Sequence, residues 1–168
     1  AARQVVANTA NNFAHLSLEL GGKSPILIFD DADLEGAVNG AVAGNFGASG
    51  QSCVAGSRVF VQSGIHADFI DEVVRRAEAV RIGDPLDADT QMGPLATKAQ
   101  HDRCKAVVAE SVSQGATLHT GGKRPEGFDV GWYFEPTLLA CPDQSIRSTR
   151  VELFGPVMSV LSFEAEEE

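Results

Sequence analysis

Several features that define well-known protein classes are missing from this sequence. No two of its three cysteines form a CxxC pair, which argues against a zinc finger or a thioredoxin-type site. No apolar run reaches the roughly 18 residues of a membrane-spanning helix. Basic residues are few, with 13 Lys and Arg against 23 Asp and Glu. The net charge of −10 therefore argues against a nucleic acid or an anionic membrane as the partner.

The odd number of cysteines and their long spacing predict a reduced, cytoplasmic protein. Cys104, on the apolar face of a predicted helix, and Cys141, at the end of a predicted strand, are interpreted as packing residues. No secretory signal is predicted, because Arg3 and Gln4 stand where an apolar stretch would be needed. No metal site is predicted either, since the histidines share no ligand spacing and each is expected at the surface: His15, His66, His101 and His119.

The first half of the sequence alternates between strand and helix patterns. Residues 25–30 (PILIFD) and 58–62 (RVFVQ) are rich in branched apolar residues, as buried strands are. Helical spacing of apolar residues predicts helices over 34–46 and around 69–77, and the glycine-rich segment 47–56 reads as a loop. This order predicts an α/β fold with a mainly parallel sheet flanked by helices.

The second half continues the same alternation. A helix is predicted from Thr97 to just before Gly115, because its apolar residues repeat along one face. Strands are predicted at 116–119, 134–140 and 156–163. Residues 1–12 also have a helical pattern.

The first of three chemistry-bearing motifs is LELGGK at 18–23, in which Glu19 stands just before two glycines. Glycines allow a sharp turn and the close approach of a ligand. A surface glutamate before a turn is the alternative interpretation. Lys23 is expected to bond nearby backbone or carboxylate groups.

The second motif is GQSCVAGSR at 50–58, which places Cys53 among small residues between a helix and a strand. Small neighbours leave a thiol within reach of a substrate, and such loops often carry catalytic groups. We expect this loop at the carboxyl side of the strands, facing the edge where a ligand would lie. The alternative is that Cys53 is a small buried hydrophobic residue.

The third motif is ELFGPV at 152–157. Glu152 and Phe154 would point to the same side of an extended segment, where they could hold a ribose hydroxyl and a flat ring. The alternative is a turn leading into a strand, with Phe154 in the core.

Taken together and in this order, the three motifs resemble those of the aldehyde dehydrogenase superfamily. The resemblance includes the intervening segments FDDAD at 29–33, GDP at 83–85, MGP at 92–94 and EPT at 135–137, and runs over nearly the whole chain. The subclass that it resembles is the NAD(P)-dependent, non-acylating type. It implies an enzyme that oxidises a small aldehyde to a carboxylic acid through a thioester intermediate.

The resemblance implies a role for each motif residue. Cys53 matches the catalytic nucleophile and Glu19 the general base that activates water. Glu152 matches the residue that binds the nicotinamide-side ribose, and Phe154 the residue that packs against the nicotinamide ring. Gln100 falls where the family often has another cofactor contact.

The resemblance also implies the organisation of a longer protein. Residues 1–18 are expected to be the tail of an upstream cofactor-binding domain, and residues 19–168 a catalytic domain truncated at its C-terminus. The family's second oxyanion donor, an Asn side chain, would lie upstream of this chain. The cofactor would be NAD or NADP, the full-length enzyme a homodimer or homotetramer, and the fragment alone inactive. One departure is Val151, where the family often has a second Glu; we expect it to affect local structure.

Two other functions are considered beside this one. A cysteine hydrolase would need a histidine to activate Cys53, and no histidine stands in a recognisable cysteine-protease context. A non-catalytic binding protein that kept this fold would have an inert Cys53. The presence of both Glu19 and Cys53 argues against that possibility.

Overall fold

The protein is described by a computed structural model that covers residues 1–168. Five helices are present: α1 Ala2–Thr9, α2 Leu34–Phe46, α3 Ser63–Glu78, α4 Lys98–Ser113 and the short α5 Arg147–Arg150. Five strands alternate with them: β1 Pro25–Ile28, β2 Arg58–Gln62, β3 Thr117–Thr120, β4 Thr137–Ala140 and β5 Val157–Phe163. A single 3-10 turn, Gly47–Gly50, follows α2.

The five strands form one sheet in the order β1-β2-β5-β4-β3. All neighbouring pairs are parallel except β3 and β4, so β3 is an antiparallel strand at one edge. This topology confirms the α/β fold with a mainly parallel sheet flanked by helices.

The two faces of the sheet bury two separate apolar clusters. Val59 and Val61 of β2 point to one face and pack with Val38 of α2 and Phe69 of α3. The opposite face is covered by α4, whose buried positions are His101, Cys104, Val107, Val108 and Ser111. Successive strand residues point to opposite faces, so helices on both sides leave the central strands β2, β4 and β5 largely apolar.

Side-chain caps explain why two helix starts could be predicted. Asp33 accepts a hydrogen bond from the Gly36 N–H at the start of α2, at 3.1 Å. Thr97 accepts one from the Gln100 N–H at the start of α4, at 3.2 Å. Each cap satisfies a backbone donor that the first helical turn leaves without a partner.

Three predicted elements are clearly shorter in the structure. The strand expected over 25–30 ends at Ile28. The strand expected from residue 134 begins at Thr137, because Pro136 has no N–H to donate to a sheet ladder. The helix expected over 1–12 is α1, which ends at Thr9 and buries none of its residues. Residues 10–24 contain no helix or strand. None of the helices is long and apolar enough to cross a membrane.

Candidate functional site

The three motifs meet at the amino ends of three neighbouring parallel strands. Gly22 lies just before β1, Cys53 before β2 and Glu152 before β5. We expected Cys53 at the carboxyl ends of the strands, where α/β folds commonly bind ligands, and this expectation was wrong. The loop of Cys53 runs from α2 into β2, and a loop that leads into a strand lies at its amino end.

The two glycines of the first motif are in contact with both other motifs. The Gly22 N–H donates a hydrogen bond to Oε1 of Glu152, at 3.0 Å. A Cβ atom at Gly21 would overlap the Glu152 carboxylate, and one at Gly22 would lie 2.9 Å from the carbonyl oxygen of Cys53. At Gly22 a side chain would press on the backbone of the Cys53 loop, so a glycine is needed there, whereas at Gly21 a side chain would displace the Glu152 carboxylate.

Cys53 is exposed and forms no disulfide, so its interpretation as a buried hydrophobic residue was wrong. Its loop turns tightly, with the Val54 N–H donating to Oγ of Ser52 at 3.3 Å. Just before it, Gly50 has a φ of +67°, and a Cβ there would overlap the carbonyl of Gly155. The loop of Cys53 therefore also packs against the third motif.

The other two thiols are buried, which makes a direct test of the thiol assignment possible. Burial raises the pKa of Cys104 from 9.0 to about 11, and burial also raises the pKa of Cys141. At pH 8 the thiolate fraction of Cys104 is thus reduced about 100-fold by the shift alone. We expect iodoacetamide to alkylate Cys53 first, as read by peptide mass spectrometry, and a Cys53→Ala variant to resist early labelling. Equal labelling of all three thiols in folded protein would contradict this structure.

The third motif does not have the extended shape considered from its sequence. Phe154 has a φ of +54°, the left-handed region, so Glu152 and Phe154 are not alternate residues of a strand. Leu153 is buried at 2% exposure, whereas Phe154 is 41% exposed. The interpretation of Phe154 as a core residue was therefore wrong, and its ring is accessible.

Helix α4 holds the backbone of this motif through two side chains. Arg103 donates through Nη2 to the Glu152 carbonyl at 2.7 Å, and Gln100 donates through Nε2 to the Phe154 carbonyl at 2.9 Å and to the Leu153 carbonyl. Gln100, expected as a cofactor contact, binds backbone in this structure. Arg103 was missed, although its spacing of three from Gln100 puts both on one helix face.

Glu19 is exposed and lies in the stretch before β1 that has no regular structure. It hydrogen-bonds to neither Cys53 nor Glu152. The structure therefore brings together Cys53, Glu152 and the glycine pair that follows Glu19, and leaves the Glu19 carboxylate itself open to solvent.

Two further polar residues differ from their sequence-based interpretation. Lys23 donates from Nζ to Oγ of Ser57 at 3.1 Å, rather than to backbone or a carboxylate. His101, expected at the surface, is 8% exposed and packs edge-on against Phe134 with a ring-centre distance of 5.6 Å. His101 lies on the inner side of α4, which the buried neighbours Cys104 and Val108 share.

Known proteins are similar to this sequence over nearly its full length. The family model of the aldehyde dehydrogenase family matches residues 1–168. Betaine aldehyde dehydrogenase of Mesorhizobium japonicum is 48% identical over 168 residues, which are 99% of this chain and 34% of that protein. The enzyme of the same name from Brucella ovis is 47% identical over the same shares. The chain thus spans about a third of the length of these curated relatives.

Solved structures show the same fold at similar coverage. Betaine aldehyde dehydrogenase from Staphylococcus aureus, in complex with NAD+, superposes with a TM-score of 0.92 at 41% identity, covering 99% of this chain and 34% of that one. A Bacillus cereus aldehyde dehydrogenase gives a TM-score of 0.92 at 37% identity, covering 99% and 33%. With the motifs in contact and the family model matching every residue, the chain belongs to the aldehyde dehydrogenase family.

Proposed function

We propose that the full-length protein oxidises an aldehyde to a carboxylic acid with NAD, using Cys53 as the nucleophile and Glu19 as the general base. The observation that carries the proposal is the contact of Gly21 and Gly22 with both the Cys53 loop and Glu152. This contact unites an exposed thiol and a carboxylate that could hold a ribose. Betaine aldehyde is the first substrate to assay, because relatives bear that name.

The nucleophile and its surroundings suit the first chemical step. The thiolate of Cys53 attacks the aldehyde carbon and forms a thiohemiacetal, since sulfur is strongly nucleophilic even when only partly ionised. The developing oxyanion needs donors, and the backbone N–H of Cys53 makes no hydrogen bond within the chain. It can serve as one donor, and a side chain outside residues 1–168 would supply the other.

The residues of the third motif fit the nicotinamide end of NAD. Glu152 uses Oε1 for the Gly22 N–H, which leaves Oε2 without a hydrogen bond and able to accept one from a ribose hydroxyl. The exposed ring of Phe154 can pack against a flat ring. When bound, NAD supplies the acceptor for the hydride. The remaining thioester on Cys53 is hydrolysed by a water from which Glu19 takes the proton.

A cysteine hydrolase is not supported by the geometry. Such an enzyme activates its thiol through a histidine within hydrogen-bond reach. The only side-chain hydrogen bond of a histidine in the structure joins His101 to Asp102, and none reaches Cys53.

In the proposed enzyme, residues outside 1–168 would pack against the first 24 residues. We propose that residues 1–18 are the tail of an upstream cofactor-binding domain and that residues 19–168 belong to the catalytic domain of a cytoplasmic homo-oligomer. Support comes from this segment's large apolar side chains, all of which are exposed: Val5, Val6, Phe13, Leu16, Leu18 and Leu20.

The test compares the full-length enzyme with residues 1–168 alone. We expect full-length enzyme to reduce NAD in the presence of betaine aldehyde, followed at the absorbance of the reduced nicotinamide, with NADP assayed in parallel. The isolated chain should show no sustained turnover, because it lacks most of the cofactor site. Loss of one oxyanion donor alone costs about 100-fold or more. Turnover of the isolated chain near that of the full-length enzyme would refute the site description, and an inert full-length enzyme would refute the function.

A further inference from the structure

Lys23 occupies the point where the segments leading into β1 and β2 come together. It follows Gly22 directly, and its ammonium donates to Oγ of Ser57 at 3.1 Å. Its own carbonyl accepts a hydrogen bond from Nε of Arg58 at 2.9 Å. The side chain and the carbonyl of Lys23 are thus both hydrogen-bonded to the segment that follows Cys53, at the fourth and fifth residues after it.

The acceptor of this ammonium is itself fixed by the sheet. The Ser57 N–H donates to the Ala55 carbonyl at 2.8 Å, and the Ser57 carbonyl accepts from the Ser159 N–H of β5 at 3.0 Å. Lys23 therefore joins the segment of the first motif to a residue that is already anchored between β2 and β5.

The surroundings of Lys23 disfavour the charged form of its side chain. Burial, and to a smaller extent the nearby Arg58, lower the pKa of Lys23 from 10.5 to about 8. The other titratable groups that face it are Cys141, after β4, and Glu152, before β5, and both raise the pKa. Even a partly buried charge costs free energy that an apolar residue of similar size would not. Packing alone would therefore favour methionine or leucine at this position.

We propose that Lys23 is a positioning residue that sets the separation between the segment carrying Glu19 and the loop carrying Cys53. This role rests on the proposed function. The bond to Ser57 is strongest while the amine is charged, because a charge-assisted hydrogen bond is roughly twice as strong as a neutral one. The ammonium is charged below about pH 8 and loses its proton as the pH rises through that value. The rate of thioester hydrolysis should therefore fall above pH 8, relative to the rate of the first hydride burst.

The experiment uses full-length enzyme, stopped-flow detection of reduced NAD, and pH values from 6 to 10. Lys23→Met should lower the ratio of steady-state rate to burst rate about tenfold at pH 7, the effect of losing a hydrogen bond to a charged group. In this variant, the ratio of steady-state rate to burst rate should not fall further as the pH rises through 8. Lys23→Arg, which stays charged over the whole range, should keep the ratio high at pH 9. Lys105→Met, at an exposed lysine of α4, is the matched control and should behave as wild type.

Ser57→Ala tests the same bond without touching the lysine, should Lys23→Met fail to fold. It should lower the ratio by a similar factor, and the double variant should be no worse than Lys23→Met alone, since both remove one interaction. An active wild-type enzyme with an unchanged ratio and pH profile in Lys23→Met or Ser57→Ala would overturn this role alone. So would a Lys23→Arg enzyme as impaired as Lys23→Met. A wild-type enzyme without any burst would overturn the proposed function and this role with it.

Discussion

Full-length enzyme with Cys53→Ser should lose aldehyde oxidation by a factor on the order of 10⁴ or more. The substitution changes one atom of an exposed side chain, so the fold and the contacts of Gly22 should be kept. An alcohol ionises far less readily than a thiol at neutral pH, so the attack on the aldehyde carbon becomes the slow step. The measurement is NAD reduction with betaine aldehyde, in single-turnover and steady-state modes.

Two comparisons make the Cys53→Ser result specific. Cys141→Ser, at a buried thiol that packs next to Ser148, should keep most of the turnover. The affinity of Cys53→Ser for NAD, measured by quenching of protein fluorescence, should stay close to that of wild type, because the proposed cofactor contacts Glu152 and Phe154 are untouched. Substantial turnover in Cys53→Ser would place the nucleophile at another residue.

Glu19→Gln should separate the two halves of the reaction. The hydride burst should persist with nearly wild-type amplitude, whereas the steady-state rate should fall by about 10² to 10⁴, the usual contribution of a general base. The amide has the shape of the carboxylate but cannot accept a proton from water, so the thioester on Cys53 accumulates. Stopped-flow absorbance gives both phases, and mass spectrometry of quenched enzyme should detect the acylated thiol.

The matched control for this change is Glu126→Gln, at an exposed glutamate in the loop between β3 and β4. It should leave both phases unchanged. If burst and steady state fall equally in Glu19→Gln, the carboxylate acts on the thiol rather than on water, and its role in the proposed mechanism has to be reassigned.

Secondary structure was predictable wherever a local pattern determined it. The bounds of α2 and β2 follow from the Asp33 cap and from the alternation of Val59 and Val61, and the structure confirms both elements. These signals depend on residues within one turn or one strand. Where a single residue interrupts the pattern, as Pro136 does before β4, the prediction extended the strand too far.

The arrangement of the site depended on contacts that no local pattern contains. The order helix, loop, strand around Cys53 already places its loop at the amino end of β2, whereas the segments that meet it there precede β1 and β5 and are distant in sequence. The bond between Lys23 and Ser57 spans 34 positions. The left-handed backbone of Phe154 is held by carbonyl contacts from α4, which its own sequence neighbours do not encode.

The bond from Gly22 to Glu152 joins residues 130 positions apart. Contacts of such sequence separation close large loops and tend to form late in folding. The thiol of Cys53, by contrast, is present and accessible from the earliest stage of the same process. A newly made chain therefore exposes three thiols, whereas the folded chain exposes only Cys53. Until folding is complete, Cys104 and Cys141 can also be oxidised to sulfenic and higher acids, so that recovery of activity after refolding depends on a reducing environment.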